Sequence, residues 1–341
     1  MARVALTGLS QKEITALLKK EGLPDYRVRQ LIHWVYQKSV LDFHQMTDLS
    51  KTDRDALIKR FSLSSIRTAT TQVSTIDQTE KRLFETIDHQ TFETVLLRDR
   101  GRQTLCVSTQ IGCRMACVFC ATGQSGFVRN LTTAEIVEQF LIFSQKVKMD
   151  NVVLMGMGEP LDNYENVIKA IHILIDMAHF SPRRITLSTV GIVPKIITLS
   201  HEKLPIHLAV SFNAPDDVTR RHLMPTGKRY SLESIVGALR DYIQETGRRV
   251  TIEYVLFNQV NDSEKDARAL VKLTKDLLCN INLIQYNVTD TLNVTESPNS
   301  RIVQFKYWLE RDGRTVTIRY KRGRDIAAAC GQLKASLKEK R

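Results

Sequence analysis

The stretch VVLMGMGEP (152–160) decides the fold: an apolar run of strand length is followed by glycines, an acid and a proline, and then by YENVIKAIHILIDMA (164–178), whose apolar residues recur at helical spacing. The unit repeats down the chain. RITLSTV (184–190), PIHLAVSF (205–212), RVTIEYVLF (249–257), INLIQYN (281–287) and TVTIRY (315–320) read as strands. LESIVGALRDYIQET (232–246), EKDARALVKLTKDLL (264–278) and RIVQFKYWLERDG (301–313) read as the helices among them. Near-continuous apolar strands alternating with helices predict an α/β fold, a parallel sheet covered by helices, either open and doubly wound or a barrel. The barrel is preferred, because the strands finish in MGMGEP, STVG, SFN and QYN, and β/α barrels carry their chemistry at the C-terminal ends of strands. No Walker-type phosphate loop is present, and GMGEP does not match the dinucleotide fingerprint.

Upstream, TTQVSTI (70–76), KRLFETI (81–87) and FETVLLRD (92–99) are β-prone and predict a small antiparallel extension. TTAEIVEQFLIFSQKV (132–147) predicts an amphipathic helix with Thr133 and Glu135 near its start. The first sixty residues read as three short helices, LSQKEITALLKKEGL (9–23), PDYRVRQLIHWVYQK (24–38) and LSKTDRDALIKRFS (49–62). In the second, Leu31, Trp34 and Val35 pack inward, leaving Arg27, Arg29 and Lys38 as candidates to meet phosphate or simply as a solvated face.

The 341 residues carry a formal charge of +12, which favours a polyanionic partner without identifying one. There is no apolar run long enough to span a membrane, and MARVALTGLSQKE lacks the core of a signal peptide, so a cytoplasmic location is expected. The last stretch, 321–341, holds seven basic and two acidic residues around AAACGQL.

Six cysteines are too few and too clustered for a disulfide scaffold. Cys113, Cys117 and Cys120 form C-x3-C-x2-C in GCRMACVFCATG. Three thiolates so spaced can hold three irons of a four-iron, four-sulfur cluster and leave the fourth open to a small molecule. A structural zinc site, with Cys106 or a histidine as fourth ligand, is the alternative.

The cysteine pattern, with Phe119 before its last member, resembles the radical S-adenosylmethionine superfamily. PDYRVRQLIHWVYQK, TLCVSTQIGC, FCATGQSGFVRNLT, MGMGEPLDNY and RGRDIAAACGQL together resemble the RlmN/Cfr family of ribosomal RNA adenine methyltransferases over nearly the whole chain. The resemblance implies a radical SAM partial β/α barrel at 101–320. Before it come a helical accessory RNA-binding domain at 1–65 and a β-rich extension at 66–100, and after it a basic catalytic tail at 321–341. It implies one iron-sulfur cluster on Cys113, Cys117 and Cys120. It also implies S-adenosylmethionine, two molecules per methylation, bound by Gly158, Glu159, Ser188, Ser211, Phe212, Asn213 and Asn287.

Adenine ring carbons are poor nucleophiles, so direct methyl transfer is chemically difficult. The family strategy makes Cys330 a methyl carrier and Cys106 the cysteine that resolves a protein–RNA link by forming a disulfide with it; Glu93 matches a candidate proton acceptor, and Cys279 is left to the core. Methylation at carbon 2 of a 23S ribosomal RNA adenine, with tRNA as a further substrate, is the implied activity. A Cfr-like carbon 8 enzyme and an inactive RNA-binding homologue are the rival readings. Implied partners are the RNA and a reductase or flavodoxin-like electron donor, with the chain itself a monomer. Two positions depart from the family pattern: Asn213 stands where His is usual, and Ala327 where Asp is usual. Asn keeps a donor and an acceptor but cannot titrate near neutral pH.

Overall fold

A computed structural model describes residues 3–289 and 294–334. The chain opens with β1 (Val4–Ala5), α1 (Gln11–Lys20), α2 (Asp25–Ile32), α3 (Lys51–Arg60) and β2 (Phe61–Ser62), the two short strands pairing in parallel. Ser10 and Glu13 close a reciprocal capping box on α1. A π-helical turn, His33–Gln37, continues α2. Leu31 and Val35 are buried as expected, while Trp34 is half-buried and donates to Asp48. Arg27 is committed internally to Asp53 and the Asp48 carbonyl, and Lys38 lies 4.0 Å over the Trp34 ring. Of the three basic candidates here, only Arg29 stands exposed with no bond of this kind.

Next come β3 (Ile66–Val73), β4 (Glu80–Thr86), β5 (Thr91–Asp99) and β6 (Arg102–Cys106), each antiparallel to the one before. The extension is thus one edge of a single ten-stranded sheet. A small ribbon of β7 (Gln110–Gly112) and β8 (Phe127–Asn130) brackets the cysteine loop and a short helix, α4 (Ala121–Gln124).

The parallel part follows as α5 (Thr133–Ser144), β9 (Asn151–Leu154), α6 (Tyr164–Asp176), β10 (Ile185–Thr189), α7 (Val193–His201), β11 (His207–Ser211), α8 (Asp217–Leu223) and α9 (Leu232–Thr246). It ends with β12 (Val250–Leu256), α10 (Glu264–Thr274), β13 (Cys279–Gln285), α11 (Asn299–Arg311) and β14 (Val316–Arg319). The cap of α5 is Thr132 with Glu135; Thr133 begins the helix and bonds instead to Asn166.

Spatial order runs β6, β9, β10, β11, β12, β13, β14, the same as chain order, and every neighbouring pair is parallel. A doubly wound sheet reverses its order at a switch point. This one does not, and residues at or just beyond the C-terminal ends of all seven strands border one cavity. A flat sheet cannot gather seven strand ends around one space, so the parallel strands form a partial barrel. Among the described residues, no helix is long and apolar enough to cross a membrane.

Glu138 on α5 ties the N-terminal helices to the sheet. Fully buried, it accepts from the Thr7 hydroxyl at 2.5 Å, the Ser65 amide at 2.6 Å and the Ile66 amide at 3.1 Å. Burial pushes its carboxyl up to about 7 in spite of those donors.

Candidate active site

The cysteine loop is built from its own backbone. Gly112 has φ +73°, and a Cβ there would lie 1.9 Å from the Gly126 carbonyl oxygen, so only glycine lets β7 and β8 close. The Cys113 amide donates to that same carbonyl at 2.8 Å, the Cys120 amide to Cys117 at 3.1 Å and the Gln124 amide to Cys120 at 3.0 Å. Phe119 packs 5.2 Å from Phe257, which packs 4.8 Å from Tyr286. All three thiols line the cavity. Burial pushes Cys113 up to about 12 and Cys117 well above its usual value, and the neighbouring cysteines add to both. Three thiolates can coexist here only with a positive centre among them. Among the described residues, no three Cys, His, Asp or Glu side chains converge on one ion. Each loop thiolate can bind one iron of a polynuclear cluster and leave the fourth iron open.

Opposite, the loop after β9 is pressed onto the segment after β6. The Thr109 amide donates to the Met157 carbonyl at 2.8 Å, and the Met157 amide donates to the Ser108 hydroxyl oxygen at 2.8 Å. Gly158, at φ +100°, passes where a Cβ would be 2.6 Å from that of Gln110. Glu159 is buried at the cavity wall, accepting from the Leu161 amide at 3.0 Å and the Val190 amide at 2.8 Å. Burial pushes it up to about 7. A cation brought to this carboxyl restores its charge.

Ser188 and Ser211, at the ends of β10 and β11, face the same space. So does Asn213, at φ +55°, a left-handed conformation Asn tolerates well. Its Oδ1 accepts from the Val255 amide at 3.0 Å, and its carbonyl from Asn261 at 2.9 Å. The departure from His therefore coincides with a structural linchpin between two strand ends. Asn287 donates to the Cys330 carbonyl at 2.9 Å, while its Oδ1 is buried without a partner.

The tail folds back across this cavity. Ala121 donates to the Gly331 carbonyl at 2.8 Å and Thr122 to Leu333 at 2.7 Å. Lys81 reaches the Ala327 carbonyl at 3.3 Å, and the Lys334 amide donates to Glu93 at 2.9 Å. Cys330 is exposed and lines the cavity; the protein packed around it raises its thiol, and Arg319 opposes that rise. Cys106, ending β6, lines the same cavity and is pushed up to about 12 by burial. Five of the six cysteines thus share one cavity, and Cys279, half-buried at the start of β13, is the sixth.

Two expected site residues are not on the cavity wall. Phe212 is wholly buried in the core, its contribution a backbone link to Glu253. Glu93 sits behind the tail in a 3.0 Å ion pair with Lys81. No disulfide joins any of the cysteines, so the Cys106–Cys330 bond is not part of this fold. Of the basic tail, Lys321 pairs with Glu296 and Arg322 with Asp99, while residues 335–341 lie outside the described residues. Glu253 and Arg319 line the cavity and were not singled out. An acid inside the apolar run VTIEYVL was the visible signal for the first. The second lay at a strand end, TVTIRY, outside the polar set.

A partial β/α barrel with three loop cysteines at its strand ends defines a radical S-adenosylmethionine enzyme. The family profile described as "Radical SAM superfamily" matches residues 107–271, and "Ribosomal RNA large subunit methyltransferase N-terminal domain" matches residues 4–63. The "Probable dual-specificity RNA methyltransferase RlmN" of Thermotoga sp. (strain RQ2) is 46% identical over 333 residues, 96% of this chain and 97% of its own. That of Clostridium novyi is 42% identical over 326 residues, 94% and 95%. The crystal structure of a radical SAM methyltransferase from Sphaerobacter thermophilus superposes with a TM-score of 0.94 at 43% identity, covering 98% of this chain and 100% of that one. The chain belongs to the RlmN family of radical S-adenosylmethionine RNA methyltransferases. Membership implies a four-iron, four-sulfur cluster and S-adenosylmethionine. The three cavity thiols, the buried Glu159 carboxyl and the orphan Asn287 Oδ1 fit that pair.

Proposed function

We propose that this chain methylates carbon 2 of an adenine in large-subunit ribosomal RNA, and also tRNA, with Cys330 as methyl carrier. Cys113, Cys117 and Cys120 hold three irons; Gly158, Glu159, Ser188, Ser211, Asn213 and Asn287 hold S-adenosylmethionine, Glu159 being the acceptor for its ammonium. Bound there, the two cofactors supply a methyl group and a hydrogen-abstracting 5′-deoxyadenosyl radical, two molecules of S-adenosylmethionine being consumed per methylation.

The rest is done by the chain. The Cys330 thiol takes the methyl group and loses its proton. Once that methyl has given up a hydrogen atom, its carbon bonds to the adenine, joining RNA to Cys330. Resolution needs the adduct's unpaired electron passed to a one-electron acceptor, a role the oxidised cluster would fill, the ring proton removed and the Cys330 sulfur displaced from the carbon. Cys106 attacks that sulfur, a disulfide forms, and the released carbon takes a proton to become the methyl group of the base. Glu93 is the candidate acceptor for the ring proton. Its bonds to Lys81 and Lys334 mean that the tail must shift before adenine can reach it. An outside one-electron donor would supply the cluster's first electron, and a two-electron reductant reopens the disulfide.

The observation that carries this reading is that Cys106 and Cys330, far apart in the chain, line one cavity with the cluster cysteines. The relatives' name, dual-specificity RNA methyltransferase, supports a reading with more than one RNA substrate. Mass analysis of adenosines from ribosomal RNA and tRNA after anaerobic reaction tests it. 2-Methyladenosine is expected in both; 8-methyladenosine would establish the carbon 8 reading, and no product from a cluster-loaded protein would overturn the proposal.

A further inference from the structure

Arg220 has no part in the account so far, yet it is a fully buried cation. It lies on α8, and its Nη1 donates to the carbonyls of Ser211 at 2.7 Å and Phe212 at 2.6 Å, with Met224 Sδ at 3.6 Å. Its Nη2 donates to the Val190 carbonyl at 2.5 Å. Its Nε is buried with no partner. None of these bonds goes to a carboxylate. Asp217, on the same helix, spends an oxygen on the Leu232 amide. A buried guanidinium that meets only carbonyls is costly unless a negative charge stands nearby.

The place for that charge is the cysteine loop. Helix α8 ends at Leu223, whose carbonyl accepts from the Val118 amide at 3.1 Å. Leu223 and Met224 pack with Cys117, Met115, Val118 and Phe119 in one apolar cluster. Burial pulls the guanidinium down to about 10, and Cys117 is the strongest of the groups opposing that fall, ahead of Asp217. A guanidinium keeps its charge at neutral pH, and Arg220 holds it in a dry setting about one helical turn before Leu223, the residue bonded to the cysteine loop.

We propose that Arg220 is a built-in counter-cation for the cluster seated on Cys117, offsetting its negative charge and easing its one-electron reduction. The inference rests on the reading that Cys113, Cys117 and Cys120 hold an iron-sulfur cluster. Three thiolates on an oxidised cluster leave a net negative charge. Reduction by an outside donor adds one electron and one more negative charge, with no bond made and no proton moved. A fixed cation in a low-dielectric wall stabilises the more negative state at no cost in reorganisation. The same side chain holds the carbonyls at the ends of β10 and β11, so the experiment must separate charge from hydrogen bonding.

Full-length parent, Arg220→Lys and Arg220→Met are reconstituted anaerobically with iron and sulfide, then titrated with dithionite while EPR reads the reduced cluster. Iron content and thermal melts are measured alongside. In Arg220→Met, the reduced-to-oxidised ratio at the parental midpoint should fall about tenfold, ~59 mV for a one-electron couple. Arg220→Lys should load iron and titrate near the parent. An iron-loaded Arg220→Met with the parental midpoint overturns the proposal, as does a loaded Arg220→Lys shifted as far as the methionine variant. If Arg220→Met fails to load or fold, the lysine variant decides. Parental behaviour from lysine supports a need for charge, whereas failure of both assigns Arg220 to its backbone bonds alone and overturns the idea. A parent that takes up no iron sinks the cluster reading and this inference together; a loaded parent whose midpoint ignores Arg220 sinks the inference only.

Discussion

The cysteine loop and the tail loop meet at one cavity but are docked differently: side-chain bonds to other elements carry more of the tail's attachment. The loop carrying Cys113, Cys117 and Cys120 is closed by short-range backbone bonds among residues 112–126. The tail around Cys330 also has short backbone bonds of its own within 323–332, but it is docked by side-chain donors from β4, α4 and the segment after β13 that reach its carbonyls, and by its Lys334 amide on Glu93 of β5. Asp77 takes the Gly323 amide at 2.8 Å, and Asp325 is gripped by Ser74 and Thr75 in the turn between β3 and β4. A ligand frame that is rigid by itself suits a permanent cluster. A segment attached through separable outside contacts suits a carrier that must present Cys330 to RNA and return. The antiparallel edge of the sheet is in this light a cradle for the tail.

The largest effects should come from the rigid side. Cys113→Ala, Cys117→Ala or Cys120→Ala should each cut cluster loading sharply and reduce S-adenosylmethionine cleavage to background, because the cluster then loses one of its three loop ligands. Iron analysis and 5′-deoxyadenosine release check this, and stoichiometric zinc with normal turnover in the parent would reject the cluster.

The two remote cysteines sharpen the contrast next. Cys330→Ala should load the cluster but take no methyl group. Cys106→Ala should methylate Cys330 and accumulate a protein–RNA adduct, visible on a denaturing gel and by peptide mass spectrometry. Normal RNA methylation by Cys330→Ala, or parental turnover with no adduct in Cys106→Ala, would break the assignment. The expected order is fixed by the chemistry, since Cys106 has nothing to release until Cys330 carries the link.

The same contrast explains what could be read in advance. The strand–helix alternation and the three loop cysteines were legible because each depends on local period or spacing, while the partial barrel came from the family resemblance. The strand-end polar residues followed from their position on that frame, and four of the expected ends do face the cavity. Phe212 misled because alternation along a strand turns one neighbour to the site and the next to the core, and the residue after Ser211 takes the core side. Arg220, Glu253 and Arg319 were invisible as a set, because only the folded barrel brings α8, β12 and β14 behind one wall. Glu93 was found through family resemblance, yet its ion pair with Lys81 and its bond to Lys334 depend on long-range register that no spacing encodes.

That ion pair gives the mildest test of the comparison. Lys81 and Glu93 face each other across adjacent strands, their side chains about nine-tenths covered, and Lys81 also donates to the Ala327 carbonyl. Lys81→Met keeps the bulk and removes the charge, so the tail loses one charged hydrogen bond worth about 1.5–3 kcal/mol. Glu93 is left with the Lys334 amide and no cation, which weakens the second anchor as well. The detached population of the tail should rise roughly tenfold or more, since 1.4 kcal/mol is a factor of ten. Trypsin reads this directly, because Arg322 and Arg324 lie in the segment, and cleavage of an opened region follows its population when reclosing is fast. Faster cutting at these arginines with parental iron content is the expected pattern, for the cysteine loop owes nothing to Lys81. Unchanged cutting would mean that the contacts at Asp77, Thr122 and Asn287 hold the tail by themselves. Loss of iron together with faster cutting would show the two loops to be one cooperative unit, and the contrast between them would fall.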